Sequence, residues 1–202
     1  MNKIIEFFKA NKNDIIKPVA VLLAICVIIP LALAVTNKVT KNRIEQLARS
    51  NEKETMLELI KAEKFPKYAY SEGDIAFEYN AAKTGDEVLG YIFVTSAKGY
   101  GGDVSVMTAV GKDGKVIEIA ITDASGETPG LGQNVKKEKF YRQYAGKSDG
   151  VTVVKNGAGD KDTVAAVTGA TVSSRAVNTA VSQALEYYAL VSGDAEGEVA
   201  AE

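Results

Sequence analysis

Histidine and tryptophan are absent from this 202-residue chain, and cysteine occurs once, at Cys26. Without histidine there is no imidazole to ligate a metal or to act as base for a serine or cysteine nucleophile. A single cysteine excludes disulfide frameworks and multi-thiolate metal sites. Cys26 lies inside an apolar run, where a thiol behaves as a small hydrophobe. Charge of one sign is also lacking: 24 Lys and Arg stand against 26 Asp and Glu, for a formal net charge of −2. No basic cluster interleaved with aromatics occurs, so the chain carries no footprint of nucleic-acid binding. What remains, 46% hydrophobic and 25% charged residues, is enough to bury a core and argues against disorder.

Long apolar runs are confined to one place. "PVAVLLAICVIIPLALAVT", from Pro18 to Thr36, carries no charge and approaches the ~20 residues that a bilayer-spanning helix needs. It is too long for the core of a cleaved signal peptide and is read as a transmembrane helix over residues 18–37, after an N-terminal segment 1–17. Pro30 removes one helical hydrogen bond, which a membrane helix tolerates when neighbouring helices satisfy the freed carbonyl. Orientation is undecided by charge, because Lys3, Lys9, Lys12 and Lys17 precede the span while Lys38, Lys41, Arg43 and Arg49 follow it. Residues 38–65 then set Ile44, Leu47, Leu57 and Ile60 among charges, the pattern of an exposed helical stalk, with Pro66 as its end.

Beyond Pro66, short β-rich runs alternate with glycine turns. Ile117, Ile119 and Ile121 alternate with Glu118, Ala120 and Thr122, which predicts a strand with one apolar face, and "GKDGK" at 111–115 predicts a hairpin turn before it. A C-terminal helix is expected from Ser173 or Ser174, with Ala176, Val177, Ala180, Val181, Ala184 and Leu185 on its core face. The acidic end, residues 193–202, reads as a disordered tail.

Three stretches exceed the needs of a scaffold: "KGYGGDV" from Lys98, "GETPGLGQN" from Gly126 and "TGATVSS" from Thr168. Turn chemistry explains each glycine loop taken alone, and neither matches a phosphate-loop or dinucleotide fingerprint. The third sets Thr168, Gly169, Thr171, Ser173 and Ser174 at a helix entrance, where unpaired N–H groups favour an anion. A cap needs only one hydroxyl, so capping by Ser173 or Ser174 leaves Thr168 and Thr171 unused. The residues alone leave both a structural cap and a phosphate site open.

The succession of a membrane anchor, "GYGGDVSVM", "GETPGLG" and "TGATVSSRAV" resembles the G subunits of Rnf-type electron-transport complexes, members of the FMN-binding domain family. The resemblance covers nearly the whole chain. It implies an α+β fold in residues 66–192, with a twisted, mainly antiparallel sheet flanked by helices. It also implies FMN held through its phosphate, as a phosphoester, on Thr171. Gly169 and Ala170 would leave room for the phosphodiester, and Thr168 and Ser173 would donate hydrogen bonds to it. Glu127, Thr128, Gly130, Leu131 and Gly132 would help to wall the flavin, with "KGYGG" adding to the same surface. Two positions depart from the family: Ala165 stands where Asp is frequent, and Ser125 where His is frequent. That Asp belongs to the sequence read by the flavin transferase that installs FMN from FAD; Asp162 is the nearest acid upstream.

The resemblance thus implies a single-pass flavoprotein of a bacterial cytoplasmic membrane, its C-terminal domain on the outer face. It would pass electrons within an ion-translocating ferredoxin:NAD oxidoreductase, beside other membrane subunits. The quinone-reducing branch of the family, the C-type flavin subunits of sodium-translocating NADH:quinone oxidoreductases, shares the motifs and is the alternative within the family. A flavin-free anchored scaffold, with "TGATVSS" as a cap only, is the alternative outside it.

Overall fold

A computed structural model of the chain describes residues 12–155, 157 and 162–193. Of the N-terminal segment expected at 1–17, residues 1–11 lie outside these residues, and of the tail expected at 193–202 all but Gly193 do. Helix α1, Lys12–Leu59, contains Pro18 and Pro30. Its stretch Lys17–Asn37 is long and apolar enough to cross a membrane, and none of it is buried against protein. The chain divides into two compact units, Met1–Glu52 and Lys53–Glu202.

In the second unit, five strands follow one another as an antiparallel meander: β1 Lys67–Glu72, β2 Ile75–Thr84, β3 Glu87–Lys98, β4 Asp103–Gly111 and β5 Val116–Asp123. Two short parallel strands, β6 Thr152–Val154 and β7 Thr163–Ala165, form a second sheet. Between the sheets, the short helix α2 spans Glu138–Tyr141, and helix α3, Thr171–Gly193, closes the described chain. The domain is α+β, as the resemblance implies.

Strand β4 is buried on both faces, which makes it the middle of a layered core. Val104, Val106 and Val110 join Phe93, Ile119 and the α3 residues Ala176, Val177, Ala180, Val181, Ala184 and Leu185 on one side. Met107 and Ala109 join Ala82, Ile92, Met56, Leu59 and Ile60 on the other. The last turn of α1 is therefore core rather than stalk. Helix α1 stops at Leu59 and not at Pro66, and the compact unit starts at Lys53, ahead of the boundary expected at 66. Periodicity did not reveal this because Met56, Leu59 and Ile60 sit among charges, as a solvated helix also would.

The "GKDGK" turn forms as expected: Gly114 has φ +73°, and the Lys115 N–H donates to Asp113 Oδ1 at 3.3 Å. The apolar face of β5 departs from strict alternation. Val116 lies opposite Val110 and Glu118 opposite Ala109, so Ile117 is bulged out of the ladder. It is consequently exposed while Ile119 is buried, because a bulge turns the extra residue away from its face.

A chain beginning at Lys53 is expected to unfold cooperatively in urea, whereas one beginning at Pro66 loses the buried Ala62 and three larger buried side chains, Met56, Leu59 and Ile60, these three worth about 1.5–3 kcal/mol each. Equal midpoints for the two truncations would show that the end of α1 contributes nothing to the core.

Candidate functional site

The three motif loops meet at one side chain. Glu127 is buried, with 2% of its surface exposed. Its Oε1 accepts the backbone N–H groups of Tyr100 at 2.7 Å and Gly101 at 3.2 Å. Its Oε2 accepts the hydroxyl of Ser173 at 2.7 Å. One carboxylate therefore joins "KGYGG", "GETPGLG" and the first turn of α3.

Glycine makes room for it on two sides. A Cβ on Gly99 would collide with Glu127 Oε1, and one on Gly132 would collide with Oε2 and lie 2.9 Å from Ser173 Oγ. Gly130 is glycine for another reason: its surroundings are open, but its φ is +75°. It follows Pro129 in a turn closed by the Leu131 N–H on Thr128 O at 3.1 Å, the Pro-Gly pattern of a type II turn. Thr128 and Gly130 are exposed there.

The entrance to α3 uses the same turn chemistry. The Ala170 N–H donates to Val167 O at 2.9 Å, and Gly169, at φ +79°, occupies the third position. Helix α3 then begins at Thr171, two residues before the earliest start expected from capping. Ser173 and Ser174 consequently lie within the first turn, on its inward face, and neither is an N-cap. Ser174 Oγ donates to Ala170 O at 2.9 Å and accepts the Val167 N–H at 3.0 Å. Ser173, expected to donate to a phosphate, commits its proton to Glu127. Among the cluster's hydroxyls, Thr168 is exposed and Thr171 half-buried, while Ser173 and Ser174 are 1% and 0% exposed. Ala170 is buried and Gly169 exposed.

Among the described residues, Tyr100, Leu131 and Val172 are three of the large apolar side chains left exposed outside residues 17–37. All three belong to segments that Glu127 ties together, and Leu131 Cδ1 lies 2.8 Å from where a Gly169 Cβ would be. An apolar surface beside a helix N-terminus suits a flavin, which joins a flat aromatic ring system to a phosphate. Next to it, the Ser125 N–H donates to Asp123 Oδ1 at 2.8 Å, and this bond holds the Asp123 carboxyl below the usual range. Ala165 is held on both backbone groups by Gln143: its N–H donates to Oε1 at 2.9 Å and its carbonyl accepts from Nε2 at 3.3 Å. Asp162 is exposed, just ahead of β7.

The comparisons with known proteins meet this geometry at the same segments. The FMN-binding domain model matches residues 99–186, which include all three loops apart from Lys98. A G subunit of a Na(+)-translocating ferredoxin:NAD(+) oxidoreductase complex from Acetobacterium woodii is 32% identical over 185 residues, covering 83% of this chain and 88% of the relative. The chain belongs to this G-subunit family. A second member, from the proton-translocating complex of Clostridium ljungdahlii, is 39% identical over 117 residues, covering 57% of this chain. That match spans 62% of the relative's length. Among solved structures, the C-type subunit of the Na(+)-translocating NADH-quinone reductase from Parabacteroides distasonis superposes with a TM-score of 0.52 at 21% identity. It covers 62% of this chain and 77% of the other, so the two share a fold. The curated relatives being G subunits, family membership favours that reading over the quinone-reducing branch.

Sequence reasoning placed Glu127 on the flavin wall and missed its role as a tie. No local signal gave this away, because an acid in a glycine loop reads as solvated until its donors from distant segments are known. Gly130→Asn is expected to be nearly neutral, since Asn tolerates positive φ. Gly132→Asn is expected to lower unfolding stability by about 1–3 kcal/mol through overpacking against Glu127. Urea midpoints of the two variants measure the contrast, and equal losses would deny the close approach at Gly132.

Proposed function

We propose that this chain is the covalent flavoprotein subunit of an ion-translocating ferredoxin:NAD(+) oxidoreductase complex, carrying electrons on FMN esterified to Thr171. The observation that carries this reading is the place of Thr171 as the first residue of α3, with both serines after it already committed to other partners. Thr171 is the first residue of a 23-residue helix and keeps part of its surface exposed, while the two serines that follow are buried and already donating. A phosphodiester on Thr171 would rest against the first N–H groups of α3, where the helix dipole favours negative charge. Thr168 and Gly169 precede that position, and Leu131 of the neighbouring loop lies against Gly169; Gly130 and Thr128 are exposed on the same loop as Leu131.

Attachment is a phosphoryl transfer. Thr171 Oγ bonds to the phosphorus of the FMN half of FAD, and the bond from that phosphorus to the bridging oxygen breaks. AMP leaves with that oxygen, and the hydroxyl proton is released. A flavin transferase is the partner that would catalyse it. The bound flavin supplies the redox chemistry, and the protein's contribution is placement and electrostatics. No side chain needs to act as acid, base or nucleophile during electron transfer, which accords with a chain lacking histidine. The α1 span would anchor the protein beside other membrane subunits, with residues 53–202 on the outer face of the membrane.

Intact-mass measurement of the full chain, co-expressed with a flavin transferase, is expected to show one added FMN phosphoryl group that Thr171→Ala removes. Thr171→Ser should keep part of the modification, because its hydroxyl remains but loses the β-branch that restricts χ1. Ala165→Asp should raise the modified fraction if the transferase reads a carboxylate there. Flavin mapped to another hydroxyl, or none at all with an active transferase, would favour the flavin-free scaffold.

A further inference from the structure

We infer that Glu127 is a positioning residue that takes Ser173 out of competition for the flavin phosphate and sets the first turn of α3 so that Thr171 can receive it, an inference that rests on Thr171 being the acceptor. The cluster offers four hydroxyls within seven residues, so a transferase that recognised only local sequence would face competing acceptors. The fold removes two of them. Ser174 is withdrawn by its own turn, through Ala170 O and Val167 N. Ser173 is withdrawn by Glu127, from a loop 46 residues away in the chain. That second withdrawal also sets the rotation of α3 about its axis: with Ser173 drawn inward, Thr171 and Val172 lie toward the outside.

The tie works by reach rather than by charge alone. Oε1 is fixed by the Tyr100 and Gly101 N–H groups, so Oε2 lies at one defined place for Ser173. Gly99 and Gly132 hold the space that the carboxylate fills. Shortening the side chain by one methylene breaks the bridge while keeping the charge. Glutamine keeps the length, its oxygen still accepting the two N–H groups and its amide donating to Ser173 Oγ in the reversed sense.

The test uses the full chain co-expressed with a flavin transferase, as wild type, Glu127→Gln, Glu127→Asp and Glu127→Ala. Occupancy of each hydroxyl is read by peptide mapping, and folding of the unmodified chains by limited proteolysis. Wild type is expected to carry flavin on Thr171 alone, and Glu127→Gln to remain within about twofold of it with the same site. Glu127→Asp and Glu127→Ala are expected to lose occupancy at Thr171 by about tenfold to a hundredfold, the scale of a misplacement near 1 Å. Part of the residual label should move to Thr168 or Ser173. If Glu127→Ala fails to fold, the Gln and Asp pair decides, because a requirement for charge alone would order them the opposite way. Thr171 modified alike in folded Asp and Gln variants overturns the positioning role and leaves the flavoprotein reading intact. Wild type without flavin on Thr171 overturns both.

Discussion

A buried carboxylate must find donors for its oxygens or stay in water, and that requirement organises one end of this domain. Glu127 satisfies it with two backbone N–H groups from the loop after β3 and one hydroxyl from the first turn of α3. Charge-assisted bonds of this kind are the stronger class, and removing one partner leaves the others unpaired in a dry site. Three segments far apart in sequence are thereby coupled through one side chain. The glycines around it belong to the same device, since Gly99 and Gly132 supply the volume that the carboxylate occupies.

The consequence for function runs through the helix entrance. Helix α3 packs Ala176, Val177, Ala180 and Val181 against the β3–β4 face, which fixes its axis, and the Glu127–Ser173 bond fixes its first turn. A hydroxyl cluster of nearly uniform chemistry becomes non-uniform in exposure. Two serines become internal ties, while Thr168 stays exposed and Thr171 half-buried, next in the chain to the exposed Val172. The domain thus presents an anion-favouring helix end and an apolar surface together, the two halves of what a flavin phosphate requires.

Local patterns carried most of the fold into view. Alternation marked the strands, Asp-Gly marked the β4–β5 hairpin, and the helical stripe marked α3, because each depends on neighbours within a few residues. Features that depend on distant partners were hidden. Ser173 and Ser174 looked like caps because capping is a local role; their inward turn is set by Glu127 and by the Val167–Ala170 turn. Ile117 looked like a core residue, and only its pairing with β4 reveals the bulge. Met56 and Leu59 looked like stalk positions, since nothing near them in sequence announces Ile92 and Met107. Glycine loops marked segments that meet at Glu127, but that meeting point was not legible from spacing.

Amide hydrogen exchange at Tyr100 and Gly101 tests the carboxylate tie most directly. Tyr100 is 78% exposed and lies in a glycine-rich loop, where an unbonded amide exchanges at nearly the rate of an unstructured peptide. The tie predicts slow exchange at both amides in the wild-type domain. It also predicts loss of that protection in Glu127→Ala at positions where the β3 and β4 amides stay protected. Fast exchange at Tyr100 and Gly101 in the wild type, with the strands protected, would contradict it.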